Sequence, residues 1–427
     1  MKKVSYYNIK NIKKENIEQY KEIEKNIAYK INDSWSRCFE LGYETFGILL
    51  YGLCNWIHND IKKNKIDKIF FLSRDGYIIK KVYNILYPDE KTEYLYISRR
   101  SLSLPTMYLS ENYDEKFDCM VLPPIFNIET FLSNINIKCN EVSNEIKKAK
   151  ISYDELFKRS EIKKNPKLKE LMMQLDRKIN AEKKYNNFIN YLDQLDFCGN
   201  VAIIDIGWHN SIQKNLIKIV SDRNVKINGY YLGIYDDAKV INKPNTAKGY
   251  LYSYGNNIDL QNKTFSFVSL LESYFLAHEG TTVTYKNKKN TSEVVPVLDK
   301  YEYTDKKMIK IINEYQDGAL EFVKDFKNCN LMKNISPDIS SANIVKLGCH
   351  PQKKDLSIFE QINFENYTIN NIVNYNHSAI YYMLHPKKMI YDFFKSGWRI
   401  VFLKKLFIIP FPTMFVFNIL CKLSNRR

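Results

Sequence analysis

Residues 69–77 read Ile-Phe-Phe-Leu-Ser-Arg-Asp-Gly-Tyr, and residues 201–213 read Val-Ala-Ile-Ile-Asp-Ile-Gly-Trp-His-Asn-Ser-Ile-Gln. Both follow one plan. A short, wholly apolar run ends abruptly in an acid and a glycine, and a helix-like segment follows. A run with no polar alternation suits a strand buried on both faces, as in a parallel sheet. The acid and the glycine then fall at the carboxyl end of the strand, where open α/β sheets hold their ligands and where the next helix N-terminus accepts phosphate.

Working outward, residues 67–73 predict a strand, 76–87 an amphipathic helix closed by Tyr-Pro, and 93–97 (Glu-Tyr-Leu-Tyr-Ile) a second strand ending in Ser98-Arg99-Arg100-Ser101. That is a βαβ unit. Residues 199–206 return to the sheet, 210–220 predict a helix, and 229–234 another strand. The expected fold is therefore α/β: a Rossmann-like, mostly parallel sheet with a large helical insertion and a helical C-terminal region. The expected organisation is a helical leader at 1–34, the first part of the core at 35–104 and the insertion at 105–197. The second part of the core spans 198–290, a helical region 291–380, and an amphipathic segment 381–427. Within 35–65, the glycines Gly42, Gly47 and Gly52 of a strongly apolar helix are expected to permit close packing. An apolar helix over 264–278 carries one acid, Glu272.

The chain of 427 residues is 45% apolar, enough for a sizeable core, and carries a net charge of +16. So positive a field favours anionic partners. The lysines are scattered and often paired with acids, as in Lys13-Lys14-Glu15, which argues against a nucleic-acid interface and for a membrane surface or phosphorylated sugar. The eight cysteines form no Cys-x-x-Cys pair and the six histidines have no zinc-type spacing, so reduced thiols in a cytoplasmic protein are expected. From Tyr381 to Leu423 the chain is apolar, aromatic and cationic. The stretch 406–421 is too short and too proline-interrupted (Pro410, Pro412) for a membrane span. It reads either as an interfacial segment anchored by Trp398 or as a core helix.

At the strand ends, Arg74, Arg99 and Arg100 offer guanidinium groups suited to phosphate oxygens. Gly76 and Gly207 are expected to let a phosphate approach the backbone. Asn210 and Ser211 fall where a helix N-cap presents side-chain oxygens and backbone N–H groups. Asp75 and Asp205 are acids able to hold ribose hydroxyls or Mg²⁺, or to accept a proton. A strand-end Asp can equally do no more than cap the next helix.

The segments Gly42–Trp56, Phe71–Tyr77, Tyr94–Arg100 and Asp205–Gln213, with the helix Leu270–His278, resemble the C-terminal module of bacterial dual-domain ribofuranosyltransferases. In that family a haloacid-dehalogenase-type phosphatase is fused to a glycan phosphoribosyltransferase. The resemblance implies transfer of 5-phosphoribosyl from phosphoribosyl pyrophosphate to a glycan acceptor, in capsule or lipopolysaccharide synthesis, with Mg²⁺ as cofactor. It implies catalytic roles for Asp75, Asp205 and Glu272. Substrate or phosphate binding is implied for Ser73, Arg74, Gly76, Arg99, Arg100, Gly207, Trp208, His209, Asn210, Ser211 and Gln213, with Asp205 a candidate metal contact. No Asp-x-Asp-x-Thr phosphatase motif occurs, so a separate phosphatase is expected to act on the product. The loop Asp205-Ile-Gly-Trp-His-Asn-Ser211 has one acid where nucleotide-forming phosphoribosyltransferases have two. Two other functions stay open at this level: a transferase using another activated sugar, and a non-catalytic partner of a polysaccharide synthase. The expected place of action is the cytoplasm, at the inner face of the membrane, on a lipid-linked acceptor.

Overall fold

The computed structural model describes residues 3–301, 305–360, 362, 372–407 and 412–423. Pro410 and residues 424–427 lie outside them. Five strands form one sheet: β1 (Lys68–Leu72), β2 (Thr92–Leu95), β3 (Gly199–Trp208), β4 (Val225–Ile234) and β5 (Thr246–Gly249). Their order is β2-β1-β3-β4-β5 and every neighbouring pair is parallel. The expected α/β fold with a parallel sheet is the one observed.

The helices that frame it are α1 (Gly47–Asn64), α2 (Gly76–Leu86), α3 (Arg99–Tyr108), α4 (Ala181–Gln194) and α5 (Ser211–Ile219). They are followed by α6 (Val268–Tyr274), α7 (Lys306–Phe326), α8 (Pro337–Cys349) and α9 (Arg399–Leu406). Side chains of a strand alternate between faces, and the cores obey this. Ile69, Phe71, Ala202 and Ile204 join one hydrophobic cluster with α1, α2, α7 and α8. Phe70, Leu72, Val201 and Ile203 join another with α4 and α5. Both faces are covered, which is why the runs at 69–72 and 201–204 contain no polar residue.

From β1 the chain moves outward to β2, and from β3 it moves outward the other way to β4 and β5. The winding reverses between β1 and β3, and a crevice opens there at the carboxyl ends of the strands. Phe71 pairs with Ile204, so Asp205 lies level with the end of β1.

Several expectations change. The antiparallel hairpin of β6 (Thr282–Asn287) and β7 (Val294–Leu298) was not expected, and β7 stands where the helical region was expected to begin. Strand β5 had no sequence signal: Thr-Ala-Lys-Gly is neither apolar nor β-branched as a run. The insertion has its own core around Phe117, Phe131, Leu168 and Met172 and behaves as a subdomain. The helix expected over 264–278 is two, Ile258–Phe265 and α6.

The leader is integral: Tyr6, Tyr20 and Ile23 are fully buried, and the Tyr6 hydroxyl donates to Asp355 at 2.5 Å. Trp398 is not an interfacial anchor. It is fully buried, and its indole N–H donates to Gly348 O at 2.7 Å. With Ile400, Val401 and Phe402 it makes α9 a core helix. No helix among the described residues is long and apolar enough to cross a membrane. The glycines of the first apolar helix do serve packing: a Cβ on Gly47 would press into Phe322 of α7.

Candidate functional site

The crevice at the β1/β3 switch has two connected lobes. The larger, about 520 Å³, is bounded by the β1–α2 turn (Ser73, Arg74, Asp75), the start of α3 (Ser98, Arg99, Arg100) and the insertion (Val121 to Pro124, Asn134, Arg159), closed by Thr281 and Asp299. The smaller, about 360 Å³, is bounded by Gly207, Trp208, His209, Asn210, Ser211, Tyr231, Tyr235, Phe265 and Val268. Asp75, Arg99, Asp205, Ile212 and Glu272 line both. Three carboxylates and one guanidinium therefore stand at the junction.

The backbone is bent at this floor. Arg74 has φ 71°, Gly207 98°, Trp208 82° and Asn210 56°. Left-handed conformations in non-glycine residues cost on the order of 1–3 kcal/mol each, and bulky residues there cluster at functional sites. At the first turn, Arg74 N–H donates to the Tyr94 hydroxyl at 2.7 Å, which secures the strained residue. Its guanidinium is hydrogen-bonded to Thr281. The turn delivers Asp75 to the N-cap position of α2, but its side chain makes no cap hydrogen bond. Plain helix capping is thus not its role, and the carboxylate faces the crevice. Ser98 caps α3 in a reciprocal box with Ser101, aiming the N-terminus of that helix at the larger lobe.

The three acids are partly exposed to the crevice but ringed by protein atoms elsewhere. Burial raises the pKa of Asp75 above the ordinary carboxylate range, while Arg74 and Arg99 oppose the rise. Burial raises Asp205 further; the negative charge of Asp75 adds to this, and the Ile206 N–H and Arg99 oppose it. Glu272 is pushed up to about 7 by burial and by Asp75, against a hydrogen bond from the Trp208 indole N–H at 3.0 Å. Acids whose environments push their pKa values apart can divide the work of holding and moving a proton. Arg99 takes part in no salt bridge among the described residues, whereas Arg100 pairs with Asp299 at 2.8 Å on the rim.

Of the residues predicted for the site, Ser73, Arg74, Asp75, Arg99, Arg100, Asp205, Gly207, Trp208, His209, Asn210, Ser211 and Glu272 line one lobe or both. Two do not. Gln213 is fully buried; it donates to Thr246 O at 2.8 Å and accepts from Tyr231 at 3.0 Å, tying α5 to β4 and β5. Gly76 is a packing glycine: a Cβ there would sit 3.2 Å from the Phe71 backbone and 3.3 Å from Ile204 O. Asn210 also departs from expectation. It is left-handed, and its side chain does not cap α5 but donates to Lys239 O at 3.0 Å and the Tyr254 hydroxyl at 2.7 Å.

Sequence reasoning missed the insertion's share of the larger lobe, above all Arg159, because its residues are distant in the chain and carry no motif. It also missed Arg399. This buried arginine of α9 lies 4.2 Å above the Phe265 ring and donates to Phe265 O at 2.6 Å. The C-terminal region thereby buttresses the wall that carries Phe265.

Among the described residues no three His, Cys, Asp or Glu side chains are grouped to hold a metal ion. A Mg²⁺ that shares substrate phosphates requires only one or two protein carboxylates, which the junction supplies. The chain matches no family model, and a search of curated proteins returns no match.

Proposed function

We propose that this protein is a glycosyltransferase that moves 5-phosphoribosyl from phosphoribosyl pyrophosphate to a hydroxyl of a glycan acceptor. The observation that supports it best is the junction: three carboxylates and Arg99 between a lobe lined by four arginines and a lobe lined by aromatic rings. Such a division suits a reaction that joins a polyanionic donor to a sugar acceptor. The bond from the anomeric carbon to the pyrophosphate oxygen breaks, and the pyrophosphate leaves with the electron pair. The acceptor oxygen bonds to the anomeric carbon, and its proton passes to a carboxylate.

Asp205, whose proton affinity is raised by burial and by the negative charge of Asp75, takes that proton in its ionised form. Asp75, flanked by Arg74 and Arg99, stays charged, faces the positive ribose ring of the transition state and would hold Mg²⁺. Bound Mg²⁺ would neutralise charge on the leaving group. Arg74 and Arg99 hold phosphate oxygens. Removal of the 5-phosphate falls to a second protein. Purified protein with Mg²⁺ is expected to release pyrophosphate from phosphoribosyl pyrophosphate only with a glycan acceptor present. Release from a different sugar diphosphate alone selects the other-activated-sugar alternative, and no release with any donor selects the non-catalytic one.

The same reading puts the protein at the inner face of the cytoplasmic membrane, where a lipid-linked acceptor grows. What supports this is the outer surface of the C-terminal region. Ile380, Met383 and Leu384 are exposed on one helix, Ile390 and Tyr391 on the next, and Phe415 and Ile419 on the last. Lys388 and Lys395 lie 5.3 and 4.9 Å from the Tyr391 ring. Apolar insertion beside cations suits anionic headgroups. Co-sedimentation with anionic vesicles tests it: Met383→Glu with Tyr391→Glu is expected to abolish binding, and full-length protein that ignores such vesicles refutes it.

A further inference from the structure

The notable feature of the smaller lobe is a pair of buried polar atoms without a partner among the described residues, Asn210 Oδ1 and the Tyr235 hydroxyl. Asn210 is 3% exposed, and its Oδ1 is buried with no hydrogen-bond partner among the described residues. Its amide nitrogen is committed to Lys239 O and the Tyr254 hydroxyl, so the orientation of the group is set and the oxygen is left over. Immediately after it, α5 begins without a side-chain cap, so the first backbone N–H groups at Ser211 open on the same lobe. An unmet acceptor beside unmet donors asks for a group that both donates and accepts. A hydroxyl does so. A phosphate dianion does not: it has no proton to give to Oδ1.

The walls agree. Trp208 stacks on Tyr235 at 5.2 Å and 13°, and Tyr235 on Tyr252 at 5.9 Å and 4°. Aromatic faces of this kind take the C–H face of a sugar ring, and few convergent polar groups then fix its orientation. Arg74, Arg100 and Arg159 line only the larger lobe.

We propose that the smaller lobe is a subsite for a neutral pyranose, the acceptor sugar, with one hydroxyl donating to Asn210 Oδ1 and accepting from the N-terminus of α5, and its ring against Tyr235. The assignment rests on the glycosyl-transfer reading above and sharpens it: the residues Gly207 to Ser211 face the acceptor, and the pyrophosphate occupies the larger lobe.

Saturation-transfer NMR on the full-length protein tests it, with a panel of methyl glycosides of the common neutral hexoses as probes and inorganic pyrophosphate with Mg²⁺ titrated separately. At least one glycoside is expected to receive saturation on its ring C–H protons. Asn210→Gly, which keeps the left-handed backbone, is expected to weaken it about tenfold, the loss of one hydrogen bond. Asn210→Asp, which keeps an acceptor oxygen but loses the donor to Lys239 O, is expected to weaken it as well. Tyr235→Leu is a second, independent variant expected to abolish ring saturation. Pyrophosphate affinity is expected to change less than twofold in all three and to fall in Arg99→Gln. No saturation on any glycoside, glycoside contact indifferent to Asn210 and Tyr235, or displacement of the glycoside by pyrophosphate overturns the subsite. Glycoside contact with these dependences, in a protein that neither binds pyrophosphate nor releases it, keeps the subsite and refutes the phosphoribosyl reading.

Discussion

The two strand ends that look alike in sequence are built differently. At the end of β1 the acid comes after the strand, past a left-handed Arg74, and stands at the head of α2. At the end of β3 the acid is still inside the strand, opposite Tyr231 of β4, and the bend comes after it at Gly207, Trp208 and Asn210. The glycines differ as well. Gly76 allows α2 to pack on Phe71 and Ile204, while Gly207 has a positive φ that only its own backbone freedom permits cheaply. The two acids reach one floor by two routes and meet different charges. Asp75 has two arginines beside it, whereas Asp205 has Asp75 and one arginine, Arg99. A repeated sequence plan thus yields two carboxyls on one floor, both raised by burial and set apart by the charges beside them.

The largest expected effect separates the roles proposed for them. Asp205→Asn is expected to lower kcat by roughly 10²-fold or more. Asp75→Asn is expected to lower it too, with a raised Mg²⁺ requirement that Asp205→Asn does not share. Equal and wild-type rates in both variants would remove the difference in role along with the mechanism.

A titration sharpens the same point without turnover. In metal-free buffer, the carboxyl ¹³C midpoint of Asp205 is expected to move down in Asp75→Asn, which removes a repelling negative charge. It is expected to move up in Arg99→Gln, which removes a stabilising positive one. Shifts of the opposite sign would mean that the two acids do not share one field.

The glycines give the next effect. Gly207→Ala forces a Cβ to within 2.7 Å of Gly233 O at φ 98° and is expected to cost roughly 2–4 kcal/mol in denaturant unfolding. Gly76→Ala meets its neighbours at 3.2 Å and is expected to cost about 1 kcal/mol. The reverse order would break the contrast drawn between the two ends.

The smallest effect is on thermal stability. A carboxyl whose folded pKa is raised binds more protons folded than unfolded, so stability declines as pH rises from its unfolded value towards its folded one. For Glu272 that window runs up to about 7. Melting temperature is expected to be higher at pH 6 than at pH 8, and Glu272→Gln is expected to reduce the difference by about 1–3 °C. An unchanged difference would show that Glu272 does not titrate in this window.

Local sequence determined the strands β1 to β4, the helices after β1 and β3 and the position of the polar turn residues. A strand covered on both faces must be apolar throughout, and a strand that ends at a ligand must end in acid, glycine or cation. Those constraints act within a few residues and leave a pattern. Other features left none. Strand β5 follows the long edge of β4 and is held by Gln213 and by pairing, not by its own composition. The burial of Trp398 depends on an acceptor at Gly348, 50 residues away, and an aromatic, cationic segment reads the same whether its ring meets lipid or core. The same holds for Arg159 and Arg399, whose partners lie far off in the chain, and for Asn210, whose amide orientation is set by Lys239 and Tyr254. Only packing brought the three carboxylates to one junction, and only their mutual distance and burial, which no linear pattern encodes, separate their proton affinities.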